Sequence, residues 1–123
     1  MLVSEAYHPG ALTCASTDSL PDAASTMTEH HVGSLAVVDG NIIVGIISER
    51  DITRAVAQQA SPHHATAADF ASQHVTSAKL DDDTLDVARR MLDTGVRHMP
   101  VVKGSTVVGV VSMRDLLAVE AWI

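Results

Sequence analysis

Apolar residues along this chain fall into two kinds of run. Leu20, Ala23, Ala24 and Met27 recur at the three-and-four spacing that puts them on one side of a helix, and Leu85, Ala88, Met91 and Leu92 repeat that spacing further on. Elsewhere the apolar positions are contiguous: "LAVV" at 35–38, "NIIVGII" at 41–47, "MPVV" at 99–102 and "STVVGVV" at 105–111. These runs are β-branched and do not alternate, so they read as strands buried on both faces. Asp39-Gly40 and Lys103-Gly104 fall between them as hairpin turns. Short helices around Val3 to Tyr7 and Ala67 to Ala71 come first in each half, followed by brief extended pieces near Leu12 to Ala15 and Val75 to Lys79. A last helix begins at Ser48 and another at Ser112, so the order β-α-β-β-α is predicted twice.

The doubling is also literal. Shifted by 64 positions without a gap, Asp18, Asp22, Ala24, Met27 and Val32 fall on Asp82, Asp86, Ala88, Met91 and Val96. The same shift carries Val37, Val38, Gly40, Val44, Gly45, Ser48, Arg50 and Asp51 onto Val101, Val102, Gly104, Val108, Gly109, Ser112, Arg114 and Asp115. Glu5 falls on Asp69. Proline and small polar residues in "QQASPHHATA", 58–67, interrupt the apolar pattern and mark the boundary, giving repeats 1–60 and 61–123. A repeat of about 60 residues buries too little surface to be comfortable alone. Packing the two sheets about a pseudo-twofold axis solves this and leaves two related clefts.

At 123 residues, 46% apolar and 19% charged, the chain can fold without metal or disulfide support. One cysteine, Cys14, cannot form an internal bridge, and neither a secretory signal nor a membrane-length apolar run is present, so a soluble cytoplasmic setting is expected. The formal charge of −7 argues against nucleic acid as a partner, because phosphate-backbone binding needs clustered Lys and Arg. Tyr7, Phe70 and Trp122 are the only aromatics, too few for a base-stacking surface. An anionic ligand would have to be small and met locally.

Ser48-Glu49-Arg50-Asp51 and Ser112-Met113-Arg114-Asp115 are where such a meeting fits. Each has a structural explanation: a serine N-cap with an acidic residue three places on is a capping box. Each also has a functional one. A strand that ends at a helix N-terminus presents amides and a dipole to a phosphate, and a carboxylate in the first turn can accept ribose hydroxyls. Gly45 and Gly109 would let another group approach the strand backbone. Two equal sets imply two nucleoside sites.

Taken together, "TAADF", "DTLDVARRM", "VRHMPVV" and "VVGVVSMRDLL" resemble a tandem pair of CBS domains (cystathionine-β-synthase-type repeats, the pair forming a Bateman module), and the resemblance covers essentially the whole chain. It implies an α/β (α+β) fold of two pseudo-twofold-related repeats packed through their sheets. It further implies a ligand or energy sensor for AMP, ADP or ATP, with S-adenosylmethionine or NAD(H) as other candidates, and a homodimer of pairs. Carried over by position, Ser48, Arg50 and Asp51, and Ser112, Arg114 and Asp115, serve ribose and phosphate. Thr13, Cys14 and Ala15, Ser77, Ala78 and Lys79, with Val32 and Val96, wall the adenine. Arg97-His98 stands where a basic pair meets the phosphate in many members; the first copy has Gly33-Ser34 there, so the Asp115 cleft is expected to be the stronger phosphate site. Ala36 departs from the proline expected before "VV".

No output domain is evident, so the chain reads as a stand-alone regulatory module whose target is a separate protein or which acts by oligomerising. The alternative is a ligand-free dimerisation or interaction scaffold. Catalysis is not expected: there is no G-x-S-x-G elbow, and the serines are committed as caps. His30-His31 and His63-His64 lack ligands at metal spacing, so no metal is expected, and Cys14 reads as a small apolar wall residue without a base. Arg89-Arg90 and Asp81-Asp82-Asp83 read as a solvated helix face and its dipole-matched start, and Trp122-Ile123 as core closure or a dimer contact.

Overall fold

The computed structural model describes residues 1–10, 12–61 and 64–120. Expectations about His63, Trp122 and Ile123 lie outside the described residues. In chain order the elements are a 3-10 turn at Val3–Glu5, β1 (His8–Pro9), β2 (Thr13–Ala15), α1 (Leu20–His30), β3 (Ser34–Asp39), β4 (Ile42–Ser48) and α2 (Glu49–Ala57). Then follow α3 (Ala67–Phe70), β5 (Ala78–Lys79), α4 (Thr84–Thr94), β6 (His98–Lys103), β7 (Thr106–Ser112) and α5 (Met113–Glu120).

Two compact units result, and each borrows the opening of the other repeat. Residues 13–75 form a continuous unit; residues 1–12 and 76–123 form a split one. In the continuous unit β2 lies parallel to β3 and β3 antiparallel to β4, with Thr13 opposite Ala36 and Ser34 opposite Ser48. The split unit repeats this with β5 on β6 and β6 on β7, Ala78 opposite Val101 and His98 opposite Ser112. It adds β1, a strand absent from the sequence expectation, antiparallel to β7 with His8 opposite Val110 and Pro9 opposite Gly109.

Matched backbone bonds hold the borrowed segments. Val3 N donates to Asp82 O (2.9 Å) and Ser4 N to Leu80 O (2.9 Å); 64 residues on, Ala67 N donates to Asp18 O (2.7 Å) and Ala68 N to Ser16 O (3.1 Å). Val3 is fully buried with Val87, Met91, Met99, Val101, Val111 and Leu116 in the core of the split unit. Burying a side chain of this size stabilises by about 1.5–3 kcal/mol, enough to fix a short segment that has little secondary structure of its own.

Three sequence expectations are corrected. Leu85 and Leu92 are exposed, Leu92 at 72%, because the inward face of α4 is Thr84, Val87, Ala88 and Met91, one position round from them. β4 is not buried on both faces: Gly45 and Ile47 are buried while Ile42 and Val44 are exposed, and in β7 only Gly109 and Val111 are buried, the rest being half-buried. Val44 and Val108 are extra residues at bulges, where pairing jumps from Val37–Gly45 to Val38–Ile43 and from Val101–Gly109 to Val102–Val107. The turns sit one residue later than expected, at Gly40-Asn41 and Gly104-Ser105, since Asp39 still pairs with Ile42 and Lys103 with Thr106.

The repeats end their long helices differently. His31 closes α1 in the left-handed region (φ 56°, ψ 41°), where Gly95 closes α4 (φ 73°). A side chain is strained there and glycine is not. His31→Gly is expected to raise stability by about 0.5 kcal/mol, read as a higher urea midpoint, since relief of strain outweighs the extra freedom of the unfolded chain.

Candidate functional site

Both strand-to-helix junctions are built as the sequence implies. Ser48 leaves β4 extended (φ −118°, ψ 166°), its Oγ accepts from Asp51 N (3.3 Å), and Asp51 Oδ2 accepts from Ser48 N (2.8 Å) and Ser48 Oγ (3.0 Å). Ser112 Oγ accepts from Asp115 N (3.0 Å) and Asp115 Oδ2 from Ser112 N (3.0 Å). The first helical amides are also satisfied, Glu49 N by Gly33 O (2.9 Å) and Met113 N by Arg97 O (2.8 Å). Residues 33 and 97 therefore stand beside the two helix starts.

Capping alone does not account for the carboxylates. Carboxylates reach back to an amide at other points too: Asp69 to Thr66 N, Asp18 to Ala15 N, Asp82 to Lys79 N and Glu5 to Leu2 N, each at 2.9 Å. Asp51 and Asp115 differ in using one oxygen for the cap and turning the other, Oδ1, to a further partner. Asp115 Oδ1 lies 2.9 Å from His8 Nε2, and Asp51 Oδ1 lies 3.4 Å from Arg54 Nη2. Both carboxylate side chains are mostly buried, at 18% and 15% exposure, whereas the His8 ring is 70% exposed. A partly desolvated carboxylate whose second oxygen is covered by an exposed ring, as at Asp115, is suited to exchange that ring for a hydroxyl.

Electrostatics separate the two junctions. Burial alone would raise the Asp115 pKa, but the bonds from Ser112 and His8 outweigh it and hold the carboxyl below its ordinary value. His98, directly across from Ser112, is pushed below the ordinary imidazole range chiefly by burial and also by Arg97, with Asp115 opposing. In the continuous unit the Arg54 guanidinium donates to the Phe70 carbonyl (3.0 Å) and lies 5.9 Å from the centre of the Phe70 ring. Its counterpart 64 residues on is Ala118.

The remaining expected site residues divide by burial. Cys14, Val32 and Ala78 are buried in their own units, while Thr13, Ser77 and Val96 are half-buried and Ala15, Lys79, Arg50, Arg97 and Arg114 are exposed. The β2 and β5 pieces run parallel to β3 and β6, so their starts lie toward the end where β4 and β7 hand over to helices. Burial and the nearby Asp18 push the Cys14 thiol up to about 11, which keeps it protonated at neutral pH. Among the described residues no group of three His, Cys, Asp or Glu side chains is arranged to hold a metal ion, and no helix is long and apolar enough to cross a membrane.

His8, Arg54 and Glu49 were not singled out from sequence. Arg54 was readable, since it stands three residues after Asp51 on a predicted helix. His8 was not, because its meeting with Asp115 depends on residues 1–12 joining the second half of the chain.

The CBS domain profile matches residues 3–58 and again 67–121. The chain belongs to the CBS domain family. As a CBS pair it is 32% identical over 124 residues to an uncharacterized protein of Methanopyrus kandleri, an alignment that covers 98% of this chain and 63% of that one. An uncharacterized protein of Acidianus ambivalens is 36% identical over 100 residues, covering 80% of this chain and 60% of that one. The chain thus spans less than two thirds of the length of these relatives. Among solved structures, the CBS domain pair of protein MJ0100 in complex with 5′-methylthioadenosine and S-adenosyl-L-methionine matches with a TM-score of 0.83 and 28% identity, over 99% of this chain and 97% of that one. The mixed α/β fold and the tandem repeat are those of a CBS pair.

Proposed function

We propose that this CBS pair is a regulatory module that binds adenosyl ligands, with an adenine nucleotide of the AMP, ADP or ATP class at the Asp115 junction. The observation that carries this reading is the second oxygen of Asp115, which its own helix cap does not use. A ribose hydroxyl takes the place of the His8 ring on Oδ1. The exposed Arg97 and the half-buried His98 then stand beside the helix start to meet the phosphate. Ser77, Lys79 and Val96 flank the base, with Ala78 behind them in the core. Support for an adenosyl ligand comes from the ligands held by the MJ0100 CBS pair. Occupancy is passed on through a homodimer or to a separate regulated protein.

Isothermal titration of the chain with AMP, ATP, S-adenosylmethionine and NADH tests the reading. Saturable heat with AMP or ATP supports it; silence across the four ligands favours a ligand-free interaction scaffold instead. Arg97→Ala is expected to weaken AMP about tenfold and to leave adenosine within twofold, since a partly exposed charge-assisted contact to phosphate contributes about 1–2 kcal/mol. Equal loss for both ligands would place Arg97 away from the phosphate.

A further inference from the structure

The two carboxylate sites carry different charges at matching positions. Around Asp115 stand His8, Arg97 and His98; the residues 64 positions away in the sequence are Ser72, Gly33 and Ser34. Arg97, the member of the first set whose positive charge is fixed at neutral pH, has the uncharged Gly33 as its counterpart. The first helical residue changes the opposite way, from Met113 to Glu49.

Geometry makes Glu49 the decisive member. A methyl group built on Gly33 would lie 3.7 Å from both the carboxyl carbon and Oε2 of Glu49, so this carboxylate lies next to the position that corresponds to Arg97 in the other unit. Arg54 does not restore the balance. Its guanidinium is engaged by Asp51 Oδ1, by the Phe70 carbonyl and by the Phe70 ring. Arg50 and Arg114 are exposed in both units and cancel in the comparison.

We propose that the two sites select ligands of opposite charge beyond the ribose: the Asp115 site takes a nucleoside phosphate, and the Asp51 site takes an uncharged or cationic nucleoside, with Glu49 excluding phosphate. This rests on the adenosyl-binding reading above and adds to it a ligand class for each site. The repulsion acts through water-exposed surroundings over several ångströms. A unit charge there changes affinity by roughly threefold and a phosphate dianion by about tenfold.

Titration with AMP, adenosine and S-adenosylmethionine of the wild-type chain, Glu49→Gln and Asp51→Asn decides the matter. The wild type is expected to take one equivalent of AMP and two of adenosine, and Asp51→Asn to remove one equivalent of adenosine while leaving AMP as it was. Glu49→Gln is expected to tighten AMP at the second site by about tenfold, to weaken S-adenosylmethionine by roughly threefold and to leave adenosine within twofold. Two equal AMP sites in the wild type, or a Glu49→Gln effect equal for AMP and adenosine, would overturn charge selection while leaving adenosyl binding standing. Failure of all three ligands to bind the wild type would remove the adenosyl reading, and this proposal with it.

Discussion

Asp115→Asn is expected to weaken AMP binding by about a hundredfold while costing the fold only about 1 kcal/mol. The asymmetry follows from how the two carboxylate oxygens are used. Oδ2 accepts from Ser112 N at 3.0 Å, and Oδ1 faces His8 at 2.9 Å. Asparagine keeps one oxygen, which the helix cap retains, and a lost or weakened cap of this kind costs about 1 kcal/mol. What disappears is the charged acceptor for ribose. Hydrogen bonds to an ionised group contribute about 1.5–3 kcal/mol each, so removing the charge and the second acceptor together amounts to about two orders of magnitude in affinity. Calorimetric titration with AMP gives the affinity, and urea unfolding of the same variant gives the stability control. A loss of affinity under about threefold, with the fold intact, would mean that Asp115 serves its helix alone. Asp51→Asn, measured alongside, is expected to leave AMP affinity unchanged.

The capping boxes were legible because they are local. A serine at the end of a β-branched run and an aspartate three residues later dictate one another's geometry, whatever the rest of the chain does. The repeat was legible for the same reason that it folds twice: Ser34–Ser48 and His98–Ser112 pairings, the Val44 and Val108 bulges and the borrowed-segment bonds all recur at the 64-residue offset. Two kinds of feature were hidden. One is the exact face of a helix, where a single position separates the buried Thr84, Val87 and Met91 from the exposed Leu85 and Leu92. A short amphipathic segment with apolar residues on neighbouring positions does not fix that rotation until it meets a sheet. The other is any contact made by exchange of segments. His8 lies 107 residues from Asp115, and no periodicity reports that residues 1–12 leave their own repeat. Charge differences at the two sites were half visible. Arg97-His98 stood out beside Gly33-Ser34, but the role of Glu49 required knowing that its side chain turns back to Gly33.

Gly109→Ala is expected to destabilise the chain by about 3 kcal/mol, more than Gly45→Ala does at the equivalent position. An isolated glycine in a strand usually works the other way, since alanine there gains about 0.5–1 kcal/mol through the unfolded state. Here β1 pairs antiparallel with β7, with Pro9 opposite Gly109. A Cβ on Gly109 would run into the His8 carbonyl oxygen and come within 2.6 Å and 2.8 Å of two Tyr7 ring carbons. Backbone on one side and an aromatic ring on the other leave no flexible end to yield, so β1 must lift. At Gly45 the neighbours are less severe, with Ser72 O at 2.9 Å and the Ala71 Cβ at 3.2 Å, and a shift of a few tenths of an ångström relieves them; about 1 kcal/mol is expected. Lifting β1 also carries His8 away from Asp115 Oδ1. Urea unfolding should show a lower midpoint at unchanged slope for both variants, with the larger fall for Gly109→Ala. Equal falls would mean that β1 is held loosely and that His8 reaches Asp115 without help from its pairing with β7.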